Sequence, residues 1–206
     1  MYLKKLSSQT IITVLTIVFI FSSWHLLALA LQTPALPPPW EALKTLKVIF
    51  GSEIASHLGV SLYRVMVSLI IATVLAVPLG LFLGKNRGAD QISAPLIYLT
   101  YPIPKVVFLP IILILLGIGN LSKIVLITLV VFYQILVTTR DAARNLAKEY
   151  VLSVESLKAN DWVIYWHVYF PACLPAILTS LRIGLGTALA VLFLVETYAT
   201  REGIGF

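Results

Sequence analysis

Three histidines, one cysteine and nine acidic residues are all that this 206-residue chain offers to metal or nucleophile chemistry. A membrane hydrolase or metalloenzyme clusters its ligands or pairs a nucleophile with a base. Neither arrangement occurs. There is no His-Glu-x-x-His, no Gly-x-Ser-x-Gly, no phosphate-cradling Gly-Lys-Ser/Thr loop and no Cys-x-x-Cys. The sequence therefore supplies no catalytic residue, no metal site and no means of hydrolysing ATP by itself. His25 sits in a long apolar run with Ser22 and Ser23 one turn back. Intramembrane polar residues are functional candidates by default, but a helix-packing or backbone hydrogen bond accounts for this one. Cys173 stands alone, which excludes an internal disulfide framework and a cysteine-based metal cage.

Function is better sought in the charged segment from Arg140 to Asp161, the one long polar stretch of a chain otherwise joined by short connections. Glu149 to Leu157 reads as a short helix, with Tyr150, Val154 and Leu157 spaced to share an apolar stripe. Ala159-Asn160-Asp161 interrupts it, since Asn and Asp tolerate turns and cap helices. Trp162, Ile164, Tyr165 and Val168 then continue to Phe170-Pro171. Helix, turn, helix on a membrane face offers a docking ridge to a soluble partner. A polar loop without a partner fits the same residues, and the residues alone leave both open.

The elements that must position this segment are membrane spans. Of the residues 59% are apolar and 12% charged, with a mean hydropathy of +0.97, far from the averages of a water-soluble globule. The net charge of +6 does not indicate nucleic acid, whose partners present polar, wet surfaces; basic residues beside apolar runs set topology at an anionic membrane face. A helix needs about 20 apolar residues to cross a bilayer. By that measure spans are expected at about 11–31, 65–83, 106–116, 124–139 and 175–198, with a loop over about 140–174. The first run is longer than the apolar core of a secretory signal and is read as a retained span. Four prolines within Gln32 to Pro39 end it, and an amphipathic stretch at the membrane surface follows over Glu41 to Ser56. Pro95, Pro102, Pro104 and Pro110 require the third span to be short or bent. Pro171 and Pro175 argue against a crossing that begins before about 175.

With the N-terminus inside, Lys4, Lys5, Lys85, Arg87, Arg140, Arg144, Lys148 and Lys158 fall on the inner face, and Lys44, Lys47, Lys123 and Arg201 on the outer. Arg64, Lys105 and Arg182 lie at span edges, and Glu196 reaches the far interface. This excess predicts a cytoplasmic N-terminus and a cytoplasmic loop.

At these residues the chain resembles the membrane permease subunits of binding-protein-dependent ABC importers, in the branch that takes up taurine, alkanesulfonates, nitrate, bicarbonate and some vitamin precursors. The family's loop pattern, Glu-Ala-Ala-x3-Gly-x9-Ile-x-Leu-Pro, anchors here on Pro171, with Val168 and Phe170 at the Ile and Leu positions and Pro175-Ala176-Ile177-Leu178 following. Ser61-Leu62-Tyr63-Arg64, Pro102-Ile103-Pro104 with Leu109-Pro110, Gly117-Ile118-Gly119 with Ser122-Lys123, and Leu181-Arg182 also look like this branch. Leu152 replaces the pattern's Glu and Lys158 its Gly, where a left-handed turn costs lysine about 1 kcal/mol or more unless the turn moves to Asn160.

The resemblance implies an all-α membrane protein with a helix-turn-helix coupling loop. The importing complex would comprise a second permease copy, a cytoplasmic ABC ATPase dimer carrying ATP and Mg, and an extracytoplasmic substrate-binding protein, with membrane lipid around the spans. Glu149, Val154, Leu157, Lys158, Ala159, Asn160, Trp162 and Pro171 would form the ATPase-coupling loop. Arg64, Pro104, Pro110, Gly117 and Glu196 are the residues expected along the translocation path. The family usually carries at least one span after the fifth, so the chain is expected to be truncated; a non-transporting membrane protein that retains the docking loop is the alternative.

Overall fold

The computed structural model describes residues 2–198, 200 and 202–205, the backbone alone for 2–7, 52, 148 and 155. Arg201, counted among the outer cations, lies outside them, as do the side chains of Lys4, Lys5 and Lys148. The chain divides into two compact units, Met1–Ser56 and His57–Phe206.

In the first unit, α1 (Tyr2–Leu31) is a single long apolar helix. The proline-rich turn ends it, and Trp24 Nε1 donates to the carbonyl of Pro37 at 3.1 Å, folding the turn back onto the helix. Next come α2 (Pro39–Ile49), started by a proline in its first turn, and a π turn over Phe50–Ile54.

The second unit is built on α3 (Ala55–Lys85), α4 (Arg87–Thr100), a 3₁₀ turn (Lys105–Phe108), α5 (Leu109–Leu116), α6 (Asn120–Arg144), α7 (Lys148–Glu155), α8 (Asp161–Ile164), a π turn (Tyr165–Tyr169) and α9 (Phe170–Tyr198). Among the described residues four helical stretches are long and apolar enough to cross a membrane: Ser8–Leu31, Ala55–Lys85, Asn120–Arg144 and Asp161–Tyr198. A fifth crossing is available from the pair Arg87–Thr100 and Lys105–Leu116, bent by 78°. That bend is the one the prolines require: Pro102 and Pro104 lie in the break, and Pro110 sits in the first turn of α5, where its missing N–H costs nothing.

The core sits around α6, whose Leu126, Ile127, Val131 and Ile135 are wholly buried. It packs along α9. On its other side α3 presents Ala72, Ala76, Gly80 and Gly84 at helical spacing, a stripe small enough for close approach, which is how helices associate in lipid. A Cβ on Gly84 would lie 2.5 Å from that of Ala143, and one on Gly80 2.8 Å from that of Thr139.

Three boundaries differ from the sequence expectation. α6 does not stop near 139 but runs to Arg144, because Arg140 finds a carboxylate inside the protein and need not mark an edge. Arg64 likewise lies inside α3 and Glu196 inside α9, and both are buried in the protein. Finally, α9 starts at Phe170 instead of 175. Pro171 occupies its first turn, Pro175 is accommodated in the helix, and the π turn joins it to α8.

Candidate functional site

The loop between α6 and α9 is a helix, a turn and a helix. Leu157-Lys158-Ala159 carries the reversal, and Lys158 itself adopts a left-handed φ of 56°. The turn is therefore not displaced to Asn160. Instead Asn160 caps α8, its side chain accepting from the amide of Val163 at 2.9 Å. Beside it Asp161 receives Lys85 Nζ at 2.6 Å, tying the start of α8 to the end of α3, and the same ammonium lies 4.7 Å over the Tyr165 ring. Val154 and Ala159 pack against the core. Glu149, Leu157, Trp162 and Pro171 point outward, Leu157 with 79% and Trp162 with 70% of its surface accessible. Tyr150 and Leu152 are exposed as well, and Trp162, Trp166 and Phe170 stack along one side at ring separations of 5.7 and 5.1 Å. Large apolar side chains thus gather on a loop that short anchors hold still.

Just inside the loop, Asp90 of α4 binds Arg140 and Arg144 of α6. Arg140 Nε donates to Oδ1, and Arg144 lies 3.0 Å from Oδ2. Arg140 is fully buried and also reaches Asp141 at 3.3 Å and the Tyr98 hydroxyl at 3.5 Å. This cluster closes the loop end of the helix bundle.

At the opposite end of the unit, Arg64 (2% exposed) pairs with Glu196, donates through Nε to Asn120 Oδ1 at 2.8 Å and donates to the Glu202 carbonyl at 2.8 Å. Ser61 Oγ lies 2.9 Å from both carboxylate oxygens of Glu196. The chain after α9 folds back onto this pair: the amides of Gly203, Ile204 and Gly205 donate to His57 Nδ1, Ser61 Oγ and Glu196 Oε2 at 3.0, 3.0 and 3.1 Å. Gly203 has a φ of 126°, and a Cβ there would collide with the Glu196 carboxylate, so glycine is required twice over. Lys123 is buried beside this network and shares a cavity of about 460 Å³ with Arg64, Asn120 and Glu202.

The five residues expected along the path do not form one cluster. Arg64 and Glu196 meet as described. Gly117 ends α5 with a φ of 75°. Pro110 starts that helix, and Pro104 lines a separate recess at the α4–α5 break. In that recess the sequence reading passed over the main residue, Lys105, by placing it at a span edge. Its Nζ donates to the carbonyls of Thr100 and Tyr101 at 2.6 and 2.8 Å, capping α4, and lies 4.4 Å over the Tyr133 ring. The available signal was an ionisable residue flanked by prolines inside an apolar stretch. Asp90 was missed because its partners lie on another helix. No group of three or more His, Cys, Asp or Glu among the described residues is arranged to hold a metal ion.

Residues 76–206, which include the loop, the break and Glu196 but not its partners Ser61 and Arg64, match the family described as the binding-protein-dependent transport system inner membrane component. The chain belongs to this family. It is 34% identical to the taurine transport system permease protein of Escherichia coli (strain K12) over 98% of its own length and 76% of that protein's. Identity to the formylaminopyrimidine transport permease protein of Halalkalibacterium halodurans is 25%, over 98% of this chain and 81% of the relative. A Bacillus subtilis (strain 168) protein named for aliphatic sulfonates transport is 26% identical over 83% of the chain and 62% of its own length. The chain is thus a multi-pass membrane permease, and the family and branch drawn from the ordered set of motifs hold.

Proposed function

We propose that this permease carries a small organic anion of the sulfonate or taurine type inward, driven by an ABC ATPase dimer that docks on the loop between α6 and α9. The loop then faces the cytoplasm, as does the N-terminus, in keeping with the excess of Lys and Arg on that side. ATP and Mg belong to the ATPase, and the permease performs no chemistry. Two permease copies form the pathway, and an extracytoplasmic binding protein delivers the solute. ATP-driven closure of the ATPases moves the loop, and the bundle passes from inward-open to outward-open.

The observation that carries this reading is the group of exposed apolar residues, Tyr150, Leu157 and Trp162 among them, on an anchored loop within the family match. Such side chains dominate protein interfaces, with about 2 kcal/mol or more lost per hot-spot truncation. Leu157→Ala combined with Trp162→Ala is expected to weaken co-purification with the ATPase by tenfold or more, by roughly 1.4 kcal/mol per tenfold, while membrane insertion is unchanged. Undiminished binding would place the docking surface elsewhere. The substrate class is supported by the names of the taurine and aliphatic sulfonates relatives, and it is tested by uptake of labelled taurine into proteoliposomes holding the assembled importer.

A further inference from the structure

Lys105 is 92% buried, given its 8% exposure, and none of the ion pairs found among the described residues includes it. It lies beside Tyr133, near the middle of α6 (Asn120–Arg144), and therefore at the depth where a charge is least tolerated. What holds it there is the negative end of α4 and two aromatic faces, those of Tyr133 at 4.4 Å and Tyr101 at 5.7 Å. These stabilise a cation without cancelling its charge. Two of the three ammonium donors are spent on the Thr100 and Tyr101 carbonyls, which leaves one.

Lys105 also faces space. A recess of about 340 Å³ opens between the α4–α5 break, α6 and α9, lined by Lys105, Tyr133, Gln134 and Thr187. Thr100 Oγ1 gives its one proton to the Leu96 carbonyl at 2.7 Å, so in its 3.3 Å contact with the Tyr133 hydroxyl the phenol is the donor, through a long bond that it can exchange for an anion in the recess. Gln134 makes no hydrogen bond among the described residues and contributes an amide that offers two donors. Thr187 differs, because its hydroxyl is committed to the Ile183 carbonyl at 3.1 Å and it only walls the recess. A positive charge with a free donor, a phenol and an amide thus converge on a pocket beside a broken helix, the setting in which transporters hold a solute in transit.

We infer that this recess is a transit site for the anionic group of the solute, Lys105 supplying the charge and Tyr133 and Gln134 the neutral donors that wrap a sulfonate. The inference rests on the proposed sulfonate transport for the identity of the solute, but its electrostatic core does not. Occupancy is brief, because a single cation whose field is shared with carbonyls and rings attracts an anion without trapping it.

The test uses the assembled importer in proteoliposomes, with Cys173→Ala removing the native thiol and Thr187→Cys placing a reporter in the recess. Two methanethiosulfonate reagents are compared, one bearing a sulfonatoethyl group and one a trimethylammonioethyl group, each normalised to a thiol at Gly88→Cys, an exposed position at the start of α4. The anionic reagent is expected to be favoured by about tenfold, the preference a single nearby charge imposes in a partly desolvated site. Lys105→Met abolishes that preference, Lys105→Arg keeps it, and millimolar taurine slows labelling in the parent. A preference unchanged by Lys105→Met overturns the site. The reagent preference shows that the charge of Lys105 faces the recess, and slowing of the labelling by taurine is the result that a cap merely holding α4 together would not give. In the same vesicles Lys105→Met should lower taurine uptake tenfold or more. If that variant does not accumulate, Gln134→Leu, which leaves the cap intact, is expected to lower uptake by about fivefold, the scale of one lost hydrogen bond, and full uptake would count against the site. Should the parent importer take up no taurine yet keep the Lys105-dependent reagent preference, the sulfonate reading fails and the anion site stands.

Discussion

Arg64 and Lys105 are both cations buried in an apolar chain, and their surroundings could hardly differ more. Arg64 has a carboxylate, an asparagine amide and a backbone carbonyl on its donors, and the segment after α9 folds over it. Lys105 has two carbonyls and two rings, and no carboxylate among its described contacts. A charge matched on every side is part of the scaffold, because moving it would strand its partners. A charge left unmatched beside a cavity has capacity to spare. On the proposal made above, the degree of compensation separates Arg64, which holds helices together, from Lys105, which meets a passing solute.

The largest effect is expected where compensation is most complete. Glu196→Gln leaves the Arg64 guanidinium buried without a counter-charge, and removing one partner of such a pair costs about 3–5 kcal/mol. Cys173 is buried and is the single cysteine, so a thiol-reactive dye reads unfolding directly in detergent. The midpoint should fall on the order of 10 °C. Adding Arg64→Met to Glu196→Gln removes both charges while the amide can still bond Ser61, and more than half the loss should return. If the double variant is no more stable than the single, the hydrogen bonds rather than the charges hold this end together.

Asp90→Asn tests a pair that is compensated with a reserve. It strips Arg140 of its main partner, but Asp141 and the Tyr98 hydroxyl remain within reach, and Arg144 is exposed enough for water to serve it. The expected cost is about 2 kcal/mol, between that of a buried ion pair and of a single hydrogen bond. A loss equal to that of Glu196→Gln would show that the secondary contacts of Arg140 carry nothing.

What could be read in the chain follows the range of each interaction. The break at Pro102 and Pro104 and the glycine that ends α5 are local, fixed by dihedral preferences within a few residues, and they stand where the spacing placed them. The resemblance supplied a left-handed position at Lys158 but left open a shift of the turn to Asn160, and it is the structure that puts the left-handed residue at Lys158. Arg64 and Glu196 were each singled out, but nothing along the sequence says that residues on α3 and α9 meet. For the same reason Arg140 read as the edge of a span: a cation after an apolar run ends the run unless a carboxylate elsewhere receives it, and Asp90 does. Lys105 was legible as a residue but not as a site, because Tyr133, Gln134 and Thr187 come from two other helices.

Lys105→Met should perturb stability least of the three, although its side chain is nearly as buried as that of Arg64. Losing two hydrogen bonds to carbonyls costs about 1 kcal/mol each, and deleting an uncompensated cation from mid-bilayer removes a penalty of about the same size or larger. A midpoint shift within roughly 3 °C is therefore expected, with the apolar methionine filling the space above the Tyr133 ring. The parent protein should gain a few degrees in a sulfonate concentration well above its dissociation constant, because a ligand that binds only the folded state raises stability by about 1.4 kcal/mol at ten times that constant. The methionine variant should gain nothing. A fall as deep as that of Glu196→Gln would instead make Lys105 a scaffold residue like Arg64, its cap on α4 the reason for its burial. A small fall together with a lost response to sulfonate is the pattern that an unmatched charge facing a cavity requires.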